Sequence, residues 1–74
     1  MDGVELKNKI KALRAAKDIT QEELAAKILV TRKTINTIEN GKFVPSVILA
    51  IRLAKFFKVP VEHLFELSES KKKI

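Results

Sequence analysis

Arg32, Lys33, Asn36 and Thr37 stand close together in the chain, and each carries hydrogen-bonding groups at its tip. An arginine fork matches the two acceptors on the major-groove edge of guanine, and a lysine ammonium can reach the same edge. An asparagine amide complements adenine, and a threonine methyl suits the methyl of thymine. The chemistry of such a set is recognition, not bond making. Arg32 and Lys33 rank first for base contact, then Thr37, then Asn36. For each, phosphate contact or plain solvation remains the blander alternative. Groups that make and break bonds are scarce. The chain has one histidine and no cysteine, which removes disulfides, cysteine nucleophiles and cysteine-based metal sites. No paired-carboxylate cleft, glycine-rich phosphate loop or Cys–His pair can be read. The expectation is a non-enzyme with no cofactor and no metal, and His63 reads as a surface or capping residue.

The elements that position these side chains lie between Thr20 and Gly41. Thr20 followed three residues later by Glu23 is a capping box, so a helix should begin at Gln21. Leu24, Ala25 and Ile28 form its inward face. Thr31 caps a second helix running from Arg32 to Glu39. Ile35 and Ile38, three apart, turn inward and leave Arg32, Lys33, Asn36 and Thr37 toward solvent. Asn40-Gly41 ends it, because glycine takes the left-handed conformation at a helix C-terminus without a Cβ penalty. Two capped helices about three residues apart make a helix-turn-helix.

These residues resemble a known family. Thr20-Gln21-Glu22-Glu23-Leu24-Ala25, Val30-Thr31-Arg32-Lys33-Thr34-Ile35 and Ile38-Glu39-Asn40-Gly41-Lys42, with Pro45-Ser46 and Leu64-Phe65, resemble the Cro/C1-type helix-turn-helix regulators, also called the xenobiotic-response-element family. The likeness runs from about Ile10 to Phe65. It implies a lambda-repressor-like fold, with the second helix of the motif in the major groove of DNA. It implies phosphate contacts from Gln21, Thr31, Asn40, Lys42 and Phe43, with Gln21 also bracing the first side chain of the recognition helix. It further implies an ion pair between Arg14 and Glu39 that fixes the angle of that helix. The bland alternative for Arg14 is a solvated surface residue. Two positions depart from the family pattern. Asp18 stands where glycine or asparagine is frequent, and Leu29 stands at a turn usually occupied by glycine. A leucine at positive φ would cost about 1 kcal/mol or more, so either the turn is looser or Leu29 packs against something.

The rest of the chain is read around this core. Asn8 is the preferred N-cap of a first helix running through Lys17, with Ile10 and Leu13 inside. A start near Val4 also keeps helical spacing. The resemblance allows Leu6-Lys7 to form a small strand against the C-terminal segment, and the pattern here leaves that open. Pro45 disfavours helix at Val44, and Ser46 caps a helix from Val47 to Phe57. Its stripe is Val47, Ala50, Leu53, Ala54 and Phe57. Ile48, Leu49, Ile51 and Phe56 are left over. Some of them will fill the core of so small a bundle, and the excess points to cover of part of the helix by another chain, with a wholly internal helix as the bland alternative. Pro60 begins a short helix, Val61 to Phe65. Leu67 to Ser70 reads as an extended segment, and Ser68-Glu69-Ser70-Lys71-Lys72-Lys73 as a charged tail.

Taken together, the expectation is an all-α, compact five-helix bundle of lambda-repressor type, with the small terminal β-pairing left open. The 74 residues are one domain: a lead-in over 1–7, a helix-turn-helix DNA-binding domain over 8–66, and a tail over 67–74. Net charge is +6, which favours a polyanionic partner. No run is apolar enough to span a bilayer and no signal peptide is evident, so the chain is expected in the cytoplasm. The functional expectation is a homodimeric, sequence-specific regulator of double-stranded DNA, a repressor at an inverted-repeat operator. Its dimer surface is expected from Ile48, Ile51, Arg52, Lys55, Phe56, Leu64 and Leu67. The alternative is an antitoxin-like module binding a partner protein through the apolar helix 47–57. The operator, the target genes and the inducing signal are not written in the sequence.

Overall fold

In the computed structural model, residues 4–69 are described. The order is β1 (Val4–Asn8), α1 (Ile10–Ala16), α2 (Gln21–Ile28), α3 (Arg32–Glu39), α4 (Val47–Phe57), α5 (Val61–Leu64) and β2 (Phe65–Glu69). The fold is mostly helical, five helices with a two-stranded antiparallel pairing of the chain ends. Val4 faces Glu69 and Asn8 faces Phe65. The backbone N–H of Lys9 continues this closure by donating to the Leu64 carbonyl at 3.0 Å.

One apolar core gathers every helix. Ile10 of α1, Leu24, Ala25 and Ile28 of α2, and Ile35 and Ile38 of α3 are buried. They meet Leu49, Leu53, Ala54 and Phe57 of α4, Leu64 of α5 and Phe65 of β2. No buried side-chain polar atom among the described residues lacks a hydrogen-bond partner, which keeps the cost of burying polar groups low.

The helix starts follow their caps. Thr20 Oγ1 accepts from Glu23 N at 3.0 Å, and Glu23 Oε1 accepts from Thr20 N at 2.8 Å. Thr31 and Ser46 accept from Thr34 N and Leu49 N in the same manner. The first helix differs from expectation. Asn8 is the last residue of β1, and the N-cap is Lys9, which makes no side-chain cap bond. Asn8 still serves the helix start through its side chain, because Oδ1 accepts from Ile10 N at 3.1 Å. Phe65 also leaves α5 and opens β2, since pairing with β1 satisfies its backbone better than another helical turn.

The ends of α1, α2, α3 and α4 share one device. Asp18, Leu29, Gly41 and Lys58 all have positive φ, at 58°, 65°, 73° and 59°. In each case the following residue donates its N–H to a carbonyl five residues back: Ile19 to Arg14, Val30 to Ala25, Lys42 to Thr37 and Val59 to Ala54. This is the Schellman closure, in which an apolar residue after the left-handed position commonly folds back onto the helix. Ile19, Val30 and Val59 do so and pack against the core. Lys42 does not; it follows α3 and faces solvent.

The α2–α3 turn therefore corrects both readings of Leu29. The turn is not loose, and Leu29 is not packed: it holds a left-handed conformation and is 77% exposed. Helix α4 also corrects the expected stripe. Val47 is 73% exposed, whereas Leu49, placed among the leftovers, is buried. The helix is apolar nearly all round, so its composition gave no preferred side, and packing against α2 and α5 selected one. Leu64, expected on a dimer surface, is fully buried and belongs to the core.

Candidate nucleic-acid interface

Helix α3 has two faces of opposite character. Ile35 and Ile38 are buried on one side, while Arg32, Lys33 and Asn36 are exposed on the other. Thr37 sits between them, half-buried. Its hydroxyl donates back to the carbonyls of Lys33 at 3.0 Å and Thr34 at 2.9 Å. That leaves its methyl and the oxygen lone pairs, but not its proton, for an outside partner. Thr31, Asn40, Lys42 and Phe43 surround the same face, all exposed. Asn40 and Lys42 project from the closure of α3, where the chain turns away at Gly41.

Beneath this face a chain of hydrogen bonds fixes both the helix and the side chains on it. Arg14 Nε lies 2.8 Å from Glu39 Oε2, and Nη2 lies 3.3 Å from Oε1. The third guanidinium nitrogen, Nη1, donates to the Ile19 carbonyl at 3.0 Å. Arg14 thus binds the α1–α2 turn and the end of α3 together. The Glu39 side chain is only 3% exposed. Its hydrogen bond, with its charge, holds the Arg14 guanidinium above its already high ordinary pKa, against the opposing effect of desolvation. Arg14 is therefore a permanent cation here.

From Glu39 the chain continues outward. Gln21 Nε2 donates to Glu39 Oε1 at 3.0 Å. A carboxylate only accepts, so the amide nitrogen of Gln21 must turn toward it and the amide oxygen must turn away. That oxygen faces Asn36 Nδ2 at 3.5 Å, and Asn36 Oδ1 accepts from Asn40 Nδ2 at 3.2 Å. The buried carboxylate thereby sets the direction of three surface amides in turn. Gln21 reaches Asn36 and Glu39 in this arrangement. Among the described residues no hydrogen bond joins it to Arg32, the first side chain of the helix.

Asn8 was missed as a contributor. Its Nδ2 donates to the Ile38 carbonyl at 2.9 Å, tying β1 to the last turn of α3 across thirty residues of sequence. Nothing local in the sequence signals this contact, since Asn8 reads there as a helix cap. No group of three or more His, Cys, Asp or Glu among the described residues could hold a metal ion. No described helix is long and apolar enough to cross a membrane.

This geometry can be set against known proteins. A helix-turn-helix family model, HTH_3, matches residues 10–64. The chain belongs to the helix-turn-helix family. The family is one of DNA-binding transcriptional regulators and not of enzymes. This helix-turn-helix chain is 52% identical over 60 residues to an uncharacterized HTH-type transcriptional regulator of Methanocaldococcus jannaschii, covering 81% of this chain and 91% of that protein. It is 44% identical over 64 residues to YgzD, an uncharacterized HTH-type transcriptional regulator of Bacillus subtilis, covering 86% and 97%. Among solved structures, it resembles the restriction-modification controller protein C.AhdI from Aeromonas hydrophila. The TM-score is 0.69 with 25% identity, covering 74% of this chain and 83% of that one.

Proposed function

We propose that this helix-turn-helix protein reads double-stranded DNA by sequence and acts in the cytoplasm as a homodimeric repressor at an inverted-repeat operator. The observation that carries the reading is the exposed face of α3. Arg32, Lys33 and Asn36 point outward from a helix whose other side is locked into the core and whose end is clamped by Arg14–Glu39. With α3 in the major groove, Arg32 and Lys33 at its N-terminus address base edges, with Asn36 and Thr37 one turn on. Gln21, Thr31, Asn40, Lys42 and Phe43 take the flanking phosphates and sugars, which position the domain without reading sequence. Repression follows from occupancy alone, because a bound domain covers promoter DNA.

Dimerisation is supported by the outer side of α4. Ile48 is 66% and Ile51 42% exposed, next to the exposed Val47, and Leu67 of β2 is also exposed. A second copy covering this surface would remove apolar area from water. It would set two α3 helices about 34 Å apart on one face of a duplex. Arg52 and Lys55 follow Ile48 and Ile51 by one helical turn, so they and Phe56 adjoin this surface while also lining a groove toward α2. Leu64 is buried and takes no part.

Selection of random duplex DNA by the purified protein, followed by sequencing, tests this reading. The expected product is an inverted repeat with half-sites about one helical turn apart. Enrichment of a single half-site would retain sequence reading and remove the dimer. Uniform, salt-sensitive binding without enrichment would overturn sequence reading and favour a partner-binding module that uses the exposed side of α4.

A further inference from the structure

A groove of about 450 Å³ lies between the C-terminal end of α2 and the flank of α4 that faces it. Its apolar lining is Ile28 and Phe56, with the exposed Leu29 projecting beside them. Its rim is cationic, made by Lys27, Arg52 and Lys55, and no carboxylate is among the described residues that line it. Lys17 adds a further cation, with Nζ 5.7 Å from the centroid of the Phe56 ring. The parts are held in place. Arg52 Nη1 donates to the Ile28 carbonyl at 3.4 Å. Phe56 packs edge-on against the buried Phe57, centroids 5.0 Å apart.

Leu29 is the telling residue. Its backbone is left-handed, a conformation that penalises any side chain with a Cβ. It regains nothing by packing, because its side chain stands in solvent. Asp18 and Lys58 hold the same conformation in solvent. What sets Leu29 apart is that the side chain it leaves exposed is a large apolar one, at the edge of this groove.

We propose that this groove docks an acidic amphipathic segment of a partner protein. One or two of the segment's apolar side chains would seat on Leu29 and Phe56, with its carboxylates beside Lys27, Arg52 and Lys55. An apolar lining within a charged rim is the anatomy of a protein interface. A nucleic-acid backbone would use the rim but would gain nothing from leucine and phenylalanine. A second copy of this chain meeting the groove with the same groove would oppose cation to cation. The surface is small, so the contact is of the transient class. This inference does not depend on how α3 reads DNA.

The test uses the full chain and a fluorescein-labelled synthetic peptide that carries leucine and phenylalanine one helical turn apart among aspartates and glutamates. Fluorescence anisotropy should show saturable binding. A control peptide with serine in place of the leucine and phenylalanine should bind about tenfold more weakly, the loss expected for uncovering two apolar side chains. Lys27→Glu and Lys55→Glu should each weaken the acidic peptide about tenfold. Leu29→Gly suits the backbone at that position and so preserves the fold. It should weaken the peptide while leaving affinity for duplex DNA unchanged. Absence of saturable binding overturns the proposal, as does equal binding of the serine control or indifference to Leu29→Gly. Displacement of the peptide by duplex DNA, with Leu29→Gly weakening both, would reassign the groove to nucleic acid and also overturn it.

Discussion

Arg32 and Lys42 illustrate two different ways for a cation to bind DNA. Arg32 projects from the first turn of α3, where a planar fork can address one guanine. Arg32→Ala should relax preference at one position of the site by about 1–3 kcal/mol, read by comparing affinities for singly substituted duplexes. Lys42 replaces the apolar residue that follows the other left-handed closures, and it is free to meet phosphate. Lys42→Ala should weaken all duplexes alike and lower the slope of log affinity against log salt by about one. Leu29 and Lys58 make a separate point about stability. Both occupy left-handed positions that Gly41 occupies without strain. Leu29→Gly and Lys58→Gly should each raise unfolding free energy by about 1 kcal/mol, seen as a higher urea midpoint at constant slope. If Lys58→Gly stabilises and Leu29→Gly does not, the Leu29 side chain has packing value within this chain, and strain alone does not describe it.

At the scale of elements, the α3 helix is presented by contacts that it does not itself contain. Arg14 comes from α1, Gln21 from α2 and Asn8 from β1, and all three converge on its last turn. Removing Arg14 would leave the buried Glu39 carboxylate with only the Gln21 amide. Arg14→Met should therefore cost about 3 kcal/mol, whereas Arg14→Met with Glu39→Leu should recover much of the loss. Urea unfolding of both single variants and the double variant measures the coupling. The pH dependence has a definite sign. A guanidinium whose folded pKa is raised contributes its full stabilisation below its unfolded value and loses it only as pH rises through the folded one. Arg14 therefore adds no pH dependence to stability near neutrality. The capped starts of α2, α3 and α4 were legible because a cap is a local bond between residues three apart. The start of α1 was not, since Asn8 is drawn into β1 by a strand at the other end of the chain.

At the scale of the whole molecule, α4 carries two adjoining surfaces. Val47, Ile48 and Ile51 are exposed, and Arg52 and Phe56, beside Ile48 on the helix, line the cationic groove shared with α2. Ile48→Glu or Ile51→Glu should lower the mass measured by light scattering at micromolar protein from dimer to monomer. The same variants should weaken binding to a full operator far more than to a half-site, because linked half-sites bind with a high effective concentration. An unchanged mass would remove this side of α4 as the dimer surface.

The sequence by itself determined the motif, the family likeness, the caps at Thr20, Thr31 and Ser46, the end of α3 at Gly41, and the outward set on α3. Each of these depends on residues a few positions apart, where backbone geometry alone relates spacing to direction. Tertiary structure decided which side of α4 is buried, that Leu64 is core, that Leu29 stands strained in solvent, and that Asn8 and Gln21 anchor α3. A helix apolar on all sides carries no phase of its own. A polar side chain that bonds across thirty residues has no local signature. Both are settled only when every element competes at once for the same core.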